Sequence, residues 1–199
     1  MRRSESYLEL AEHLFRLAKT SDKLHDAALH EAFHLLFRAA HEAVMEAFHY
    51  RTSRWGRLAS RLPPPLRQEF RKYADVLHIA FHYIGALPSA YDQWFFYWRD
   101  RVRCFIEAVL RKEPAPPLQS PECYLQTARL LLRLCEEVPR GLRQRLLRHL
   151  FDELRSGFAV LGQVPDRLIE LLRRLPSGWR QSAKYWIASL ENAIQKQEA

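Results

Sequence analysis

The chain has 199 residues, 48% of them hydrophobic and 27% charged, the balance of a globular protein able to bury its own core; no apolar run approaches the roughly 18 to 20 residues of a membrane span. Its net charge of +8 is carried mostly by arginine, which pairs bidentately with phosphate and carboxylate at any working pH, so an acidic partner, nucleic acid first, is expected, with codon bias or a hot growth environment as the alternative source of the composition. Cys104, Cys123 and Cys135 lack the spacing of a disulfide framework or zinc knuckle, and the N-terminus has no apolar signal core, so a cytoplasmic protein is expected.

Six glycines, no alternating β-branched runs and an abundance of Leu, Ala, Arg and Glu predict an all-α fold, a bundle of about eight to nine helices. Leu8 to Lys19 reads as the first helix, and Asp22 is placed to cap a second that reaches Tyr50. Thr52 to Leu62 predicts a short helix ended by Pro63-Pro64-Pro65, followed by a helix over Leu66 to Ile84. Ser89 with Asp92 forms a capping box for the next, which ends near Lys112. The proline-rich stretch 113–120 is the expected linker between a first half, 1–112, and a shorter second half, 121–199, packed on it. Ser120 then caps a helix opened by Pro121 and running to Glu137. Helices over Gly141 to Leu161, Asp166 to Leu175 and Ser177 to Gln195 complete the chain.

The two halves begin alike. Tyr7-Leu8-x-x-Ala11-x-x-Leu14-x-Arg16-Leu17 is echoed by Tyr124-Leu125-x-x-Ala128-x-x-Leu131-x-Arg133-Leu134, and Arg61-Leu62-Pro63 by Arg174-Leu175-Pro176. A diverged internal duplication is expected, with 7–50 and 124–161 forming similar helix pairs. Leu87-Pro88-Ser89 matches Leu175-Pro176-Ser177 as well, so a reused helix-start idiom is the other account of the second echo.

At 3.6 residues per turn Arg71, Asp75, His78 and His82 fall in one row of the fourth helix. Arg71 and His78, with six residues between them, resemble the arginine, four to six residues, histidine motif of the HEPN superfamily, all-α proteins that include ribonucleases and toxin components. The segment Tyr73 to Tyr83 and the closing helix through Arg103, Phe105, Ile106, Val109 and Leu110 resemble archaeal members, over at most residues 7 to 112. The resemblance implies a metal-independent ribonuclease in which His78 helps activate a ribose 2′-hydroxyl and Arg71 steadies the phosphate, across a homodimer interface.

Arg51, Arg54, Arg57 and Arg61 line one side of the short helix opposite Trp55, Leu58 and Leu62; Arg67 and Lys72 extend this basic face, a stripe that can track a phosphate backbone. Arg140, Arg143, Arg145 and Arg148 repeat the concentration in the second half. RNA is the expected ligand, and a helical subunit of a protein or ribonucleoprotein assembly is the alternative function. Glu31-x-x-His34 and Glu46-x-x-His49 have the spacing of metal-ligand pairs, and a metal between this helix and His78-x-x-x-His82 is one reading. His30, His34 and His41 also border the stripe Phe33, Phe37, Ala40, Val44 and Phe48, where histidines pack and hydrogen-bond; that reading is preferred, and no metal or other cofactor is expected. The five aromatics Trp94 to Trp98 span more than one turn, so part of the run is expected to meet a second surface, the other half or a second subunit. No Gly-rich phosphate loop, Gly-x-Ser-x-Gly elbow or His-Glu-x-x-His motif is present.

Overall fold

In the computed structural model, which describes residues 2–88 and 90–198, apolar residues at helical spacing close the first helix onto the second: α1 (Arg3–Thr20) buries Leu8, Ala11, Phe15 and Ala18 against α2 (His25–Phe48). There follow α3 (Trp55–Ala59), α4 (Pro64–Tyr73), continuing as a π-helix over Ala74–Ile84, and α5 (Tyr91–Leu110). The rest of the chain forms α6 (Pro121–Glu137), α7 (Arg140–Val160), α8 (Asp166–Arg173) and α9 (Trp179–Glu198). Among the described residues the fold is thus all-α, nine helices and no strand, and no helix is long and apolar enough to cross a membrane.

The chain divides into two compact units, 1–117 and 118–199, and the division falls within the proline-rich stretch. In the first, α2 is the hub. It buries Leu29, Phe33, Leu36, Phe37, Ala40 and Val44 on several faces because α1, α5 and the π segment all pack on it, and a helix apolar nearly all round is a core helix. Phe15 and Phe95 stack at 4.0 Å, and Phe33 meets Phe95 and Phe81 edge-on at 5.6 and 4.9 Å.

In the second unit α6 packs on α7, and both contact α9. Ser120 accepts a hydrogen bond from the Cys123 amide, the cap expected for α6. Gly157 is what lets α9 come close: a Cβ there would lie 2.7 Å from Leu190 Cδ2 and 3.3 Å from Tyr124 Cβ. Each unit therefore opens with a helical hairpin, and the echoed Leu8 and Leu125, Ala11 and Ala128 are all buried. Beyond the hairpins the element orders differ. The echoed Arg-Leu-Pro segments share a place just before a helix, α4 in one unit and α9 in the other.

Three local expectations are corrected. Asp22 does not cap α2; Leu24 is its N-cap, without a side-chain bond, because residues 22–24 form a turn. Pro64 stands at the start of α4 rather than ending the previous helix, its missing N–H costing nothing where no intrahelical acceptor exists. The helix over 66–84 is continuous but changes from α to π at Ala74. Ser89, the expected cap of α5, lies outside the described residues.

Gly85 ends the π segment with φ +77°, and a Cβ on it would meet His30 Cε1 at 3.3 Å. His30 itself donates from Nδ1 to the Phe81 carbonyl at 2.7 Å, so it has little freedom to withdraw. Gly85→Ala is expected to destabilise the fold by about 1 to 2 kcal/mol from the left-handed backbone alone, with the His30 contact adding to it, measurable as a shifted urea midpoint.

Candidate functional site: a histidine cluster and an arginine ridge

The first candidate grows from α2 and the π segment. Glu31 and His34, three apart on α2, share a face, and His34 Nδ1 lies 3.4 Å from Glu31 Oε2. The π segment sets His82 beside them: its Nδ1 is 3.8 Å from the same oxygen, and its ring stacks on His34 at 4.1 Å. His78 stacks on His34 at 4.9 Å and on Phe37 at 4.7 Å, and Tyr83 meets His78 and His82 edge-on. Ligand atoms of Glu31, His34 and His82 all lie within 4.8 Å of one another.

Burial disfavours charge on His34, His78 and the neighbouring His41. His34 is pushed below the ordinary imidazole pKa by desolvation and by His82, against the pull of Glu31. His78 is lowered to about 4 by desolvation first, then by His34, His82, His41 and Arg38. His41, packed against Phe37 and Phe70, is also lowered to about 4 by burial and Arg38.

The other expected ligand pair is not assembled. Glu46 accepts from Ser4 Oγ at 2.8 Å and from the Arg3 amide at 2.9 Å, tying the start of α1 to α2. His49 is the left-handed, exposed C-cap of α2.

The expected row of Arg71, Asp75, His78 and His82 assumes an unbroken α-helix, and the structure corrects it. With i→i+5 bonding each residue beyond Ala74 advances by a smaller angle than in an α-helix, so His78 is rotated away from the line through Arg71. Arg71 is exposed, Asp75 buried and His78 half-buried in the imidazole stack.

The arginine ridge is the second candidate. Arg51, Arg54, Arg57 and Arg61 are exposed, Trp55 is half-buried, and Leu58 and Leu62 are fully in the core, so one side docks and the other faces solvent. Arg51 reaches the buried Glu42 at 3.0 Å, and the Arg61 guanidinium lies 4.1 Å over the Tyr50 ring. Two expected members belong elsewhere. Arg67 donates to the carbonyls of Ala59, Ser60 and Leu62, closing the C-terminal end of α3. Lys72 is buried, 2.8 Å from Glu69, and is not presented to a ligand.

Lys72 instead belongs to a network that the basic run concealed. Glu69 receives Lys72 Nζ and both Arg101 Nε and Arg101 Nη2 from α5, while Arg101 Nη1 donates to the Tyr97 hydroxyl at 2.6 Å and Tyr73 donates to the Arg101 carbonyl. In the second unit, Arg140, Arg143, Arg174 and Trp179 line a groove of about 710 Å³. Arg143 is held there by bonds to the Cys135 and Val138 carbonyls, the same C-terminal closure that Arg67 makes for α3. Sequence order gives no sign that Arg174 and Trp179 join the Arg140 cluster, since nothing local connects the α8 end to α7. Compared with family models, with curated proteins and with solved structures, the chain finds no match.

Proposed function

We propose that the protein binds single-stranded nucleic acid, RNA first, through Arg51, Arg54, Arg57 and Arg61. The observation that carries this reading is the ridge itself: four exposed arginines over about ten residues beside the half-buried Trp55, with Arg51 also reaching Glu42 and Arg61 lying over the Tyr50 ring. Guanidiniums follow a phosphate chain, and aromatic faces take unstacked bases without demanding a sequence. The groove with Arg140, Arg174 and Trp179 has the same chemistry within the second unit. The HEPN resemblance adds RNA as the ligand class. Binding rather than cleavage is the activity proposed, because an imidazole lowered to about 4 is a poor proton acceptor at neutral pH and His78 no longer shares a row with Arg71.

The test is fluorescence anisotropy of a labelled single-stranded RNA across a salt series. The triple variant Arg54→Gln, Arg57→Gln, Arg61→Gln is expected to lower the slope of log affinity against log salt by about 2 to 3, at roughly 0.7 to 0.9 for each phosphate that is no longer neutralised. The RNA should be recovered intact. An unchanged slope would overturn the reading in favour of an acidic protein partner in an assembly.

A further inference from the structure

We infer that Glu31, His34 and His82 form a binding site for a divalent transition-metal ion of the zinc class. Two imidazoles and one carboxylate suit Zn²⁺, Co²⁺ and Ni²⁺, and three protein ligands leave a fourth position for water or a substrate group.

The distances favour this. Around a tetrahedral zinc with ligand bonds of about 2.0 to 2.1 Å, neighbouring donor atoms stand about 3.4 Å apart. His34 Nδ1 and His82 Nδ1 are 3.4 and 3.8 Å from one oxygen of Glu31. The rings of His34 and His82 are stacked, with planes 27° apart, so one must turn for both nitrogens to converge on one ion. The imidazole χ2 torsion has broad wells, and such a turn needs no backbone change.

A second observation is independent of these distances. His78 Nδ1 and His82 Nδ1 are buried and make no hydrogen bond among the described residues, although a desolvated, unpaired nitrogen ordinarily costs about 1 to 3 kcal/mol. The orphaned His82 nitrogen, which lies in the cluster with Glu31 and His34, points to a ligand that accepts a nitrogen lone pair. An ion at this cluster would satisfy the His82 nitrogen directly. The entry route is the Glu31 side, where the carboxylate is 42% exposed while His34 is 13% exposed. The π segment that brings His82 to α2 is a rare geometry, met chiefly where a helix has been distorted for function.

The experiment is titration of the tag-free, chelator-stripped full chain with Zn²⁺ by calorimetry, and with Co²⁺ by its visible absorption. One ion per chain is expected, with Co²⁺ showing the intense bands of a site with few ligands. Glu31→Gln and His82→Gln should each weaken binding by at least about tenfold, while His25→Gln, at the half-buried start of α2 and outside the cluster, should leave it unchanged. Circular dichroism of each variant checks that the helices persist, and Glu31→Gln, on a partly exposed side chain, keeps the test open if a histidine variant fails to fold. Absence of one-to-one binding by the parent, or affinities in both variants equal to the parent's, would overturn the site. Neither result bears on the RNA measurement, which reads other residues.

Discussion

Glu69→Gln is expected to cost about 3 to 5 kcal/mol of stability, enough to unfold much of the first unit, because it removes the carboxylate shared by two buried cations. Burial alone would raise the Glu69 pKa; Arg101 and Lys72 outweigh it and hold the carboxyl well below the usual range. Breaking such a network by one member is worse than deleting it. The triple variant Glu69→Leu, Lys72→Met, Arg101→Leu should therefore recover most of the loss, since apolar replacements remove the desolvation penalty along with the attraction. Urea denaturation of the parent, single and triple variants measures both effects, and a triple variant no more stable than the single one would refute the electrostatic account.

The same carboxylate sets an acid limb. A depressed folded-state pKa contributes stability that is complete above the unfolded value near about 4.3 and is lost as pH falls toward the folded value. His41 acts earlier, between its unfolded value near about 6.5 and its folded value of about 4, because the unfolded chain takes up the proton first. Stability measured from pH 7 downward should decline in that order, with His78 and His34 contributing in the same window as His41, so His41→Phe should reduce the first part of the decline without abolishing it.

Phe95→Ala is the second large effect, about 3 to 5 kcal/mol, while Phe96→Ala next to it should cost under about 1 kcal/mol. Phe95 is fully buried, stacked on Phe15 and edge-on to Phe33; Phe96 is 43% exposed, with the Arg99 guanidinium 4.8 Å from its ring. Thermal melts of the two variants compare them directly. The aromatic run Trp94 to Trp98 thus splits by helical angle, with Phe95 and Trp98 in the core and Phe96 partly in solvent. The expectation that a second surface must take part of the run reflects the breadth of the aromatic arc. A cation laid over an exposed ring is a compromise that residue types do not announce.

The site was legible in pieces. Arg51, Arg54, Arg57 and Arg61 recur at intervals of three, three and four, so the concentration was visible from order alone, although only Arg57 lies within α3 and the others flank it. Arg67 and Lys72 look the same in sequence, but whether a guanidinium closes a helix end or an ammonium meets a carboxylate depends on which element lies opposite. Glu31-x-x-His34 and Glu46-x-x-His49 are indistinguishable by spacing, and only the first faces the π segment.

The helical class and the opening of α6 by Ser120 and Pro121 were determined by sequence, because they rest on backbone propensity, on proline's missing N–H and on hydrogen bonds that close within a single turn. The change from α to π at Ala74, the burial of Lys72 and the gathering of His34 and His82 were decided only by tertiary structure. Each depends on contacts between residues far apart in the chain: His30 on the Phe81 carbonyl, Arg101 on Glu69, α2 against the π segment. Local spacing specifies which faces a helix offers, and packing chooses which of them are buried, where a polar group must find its partner in the neighbouring element.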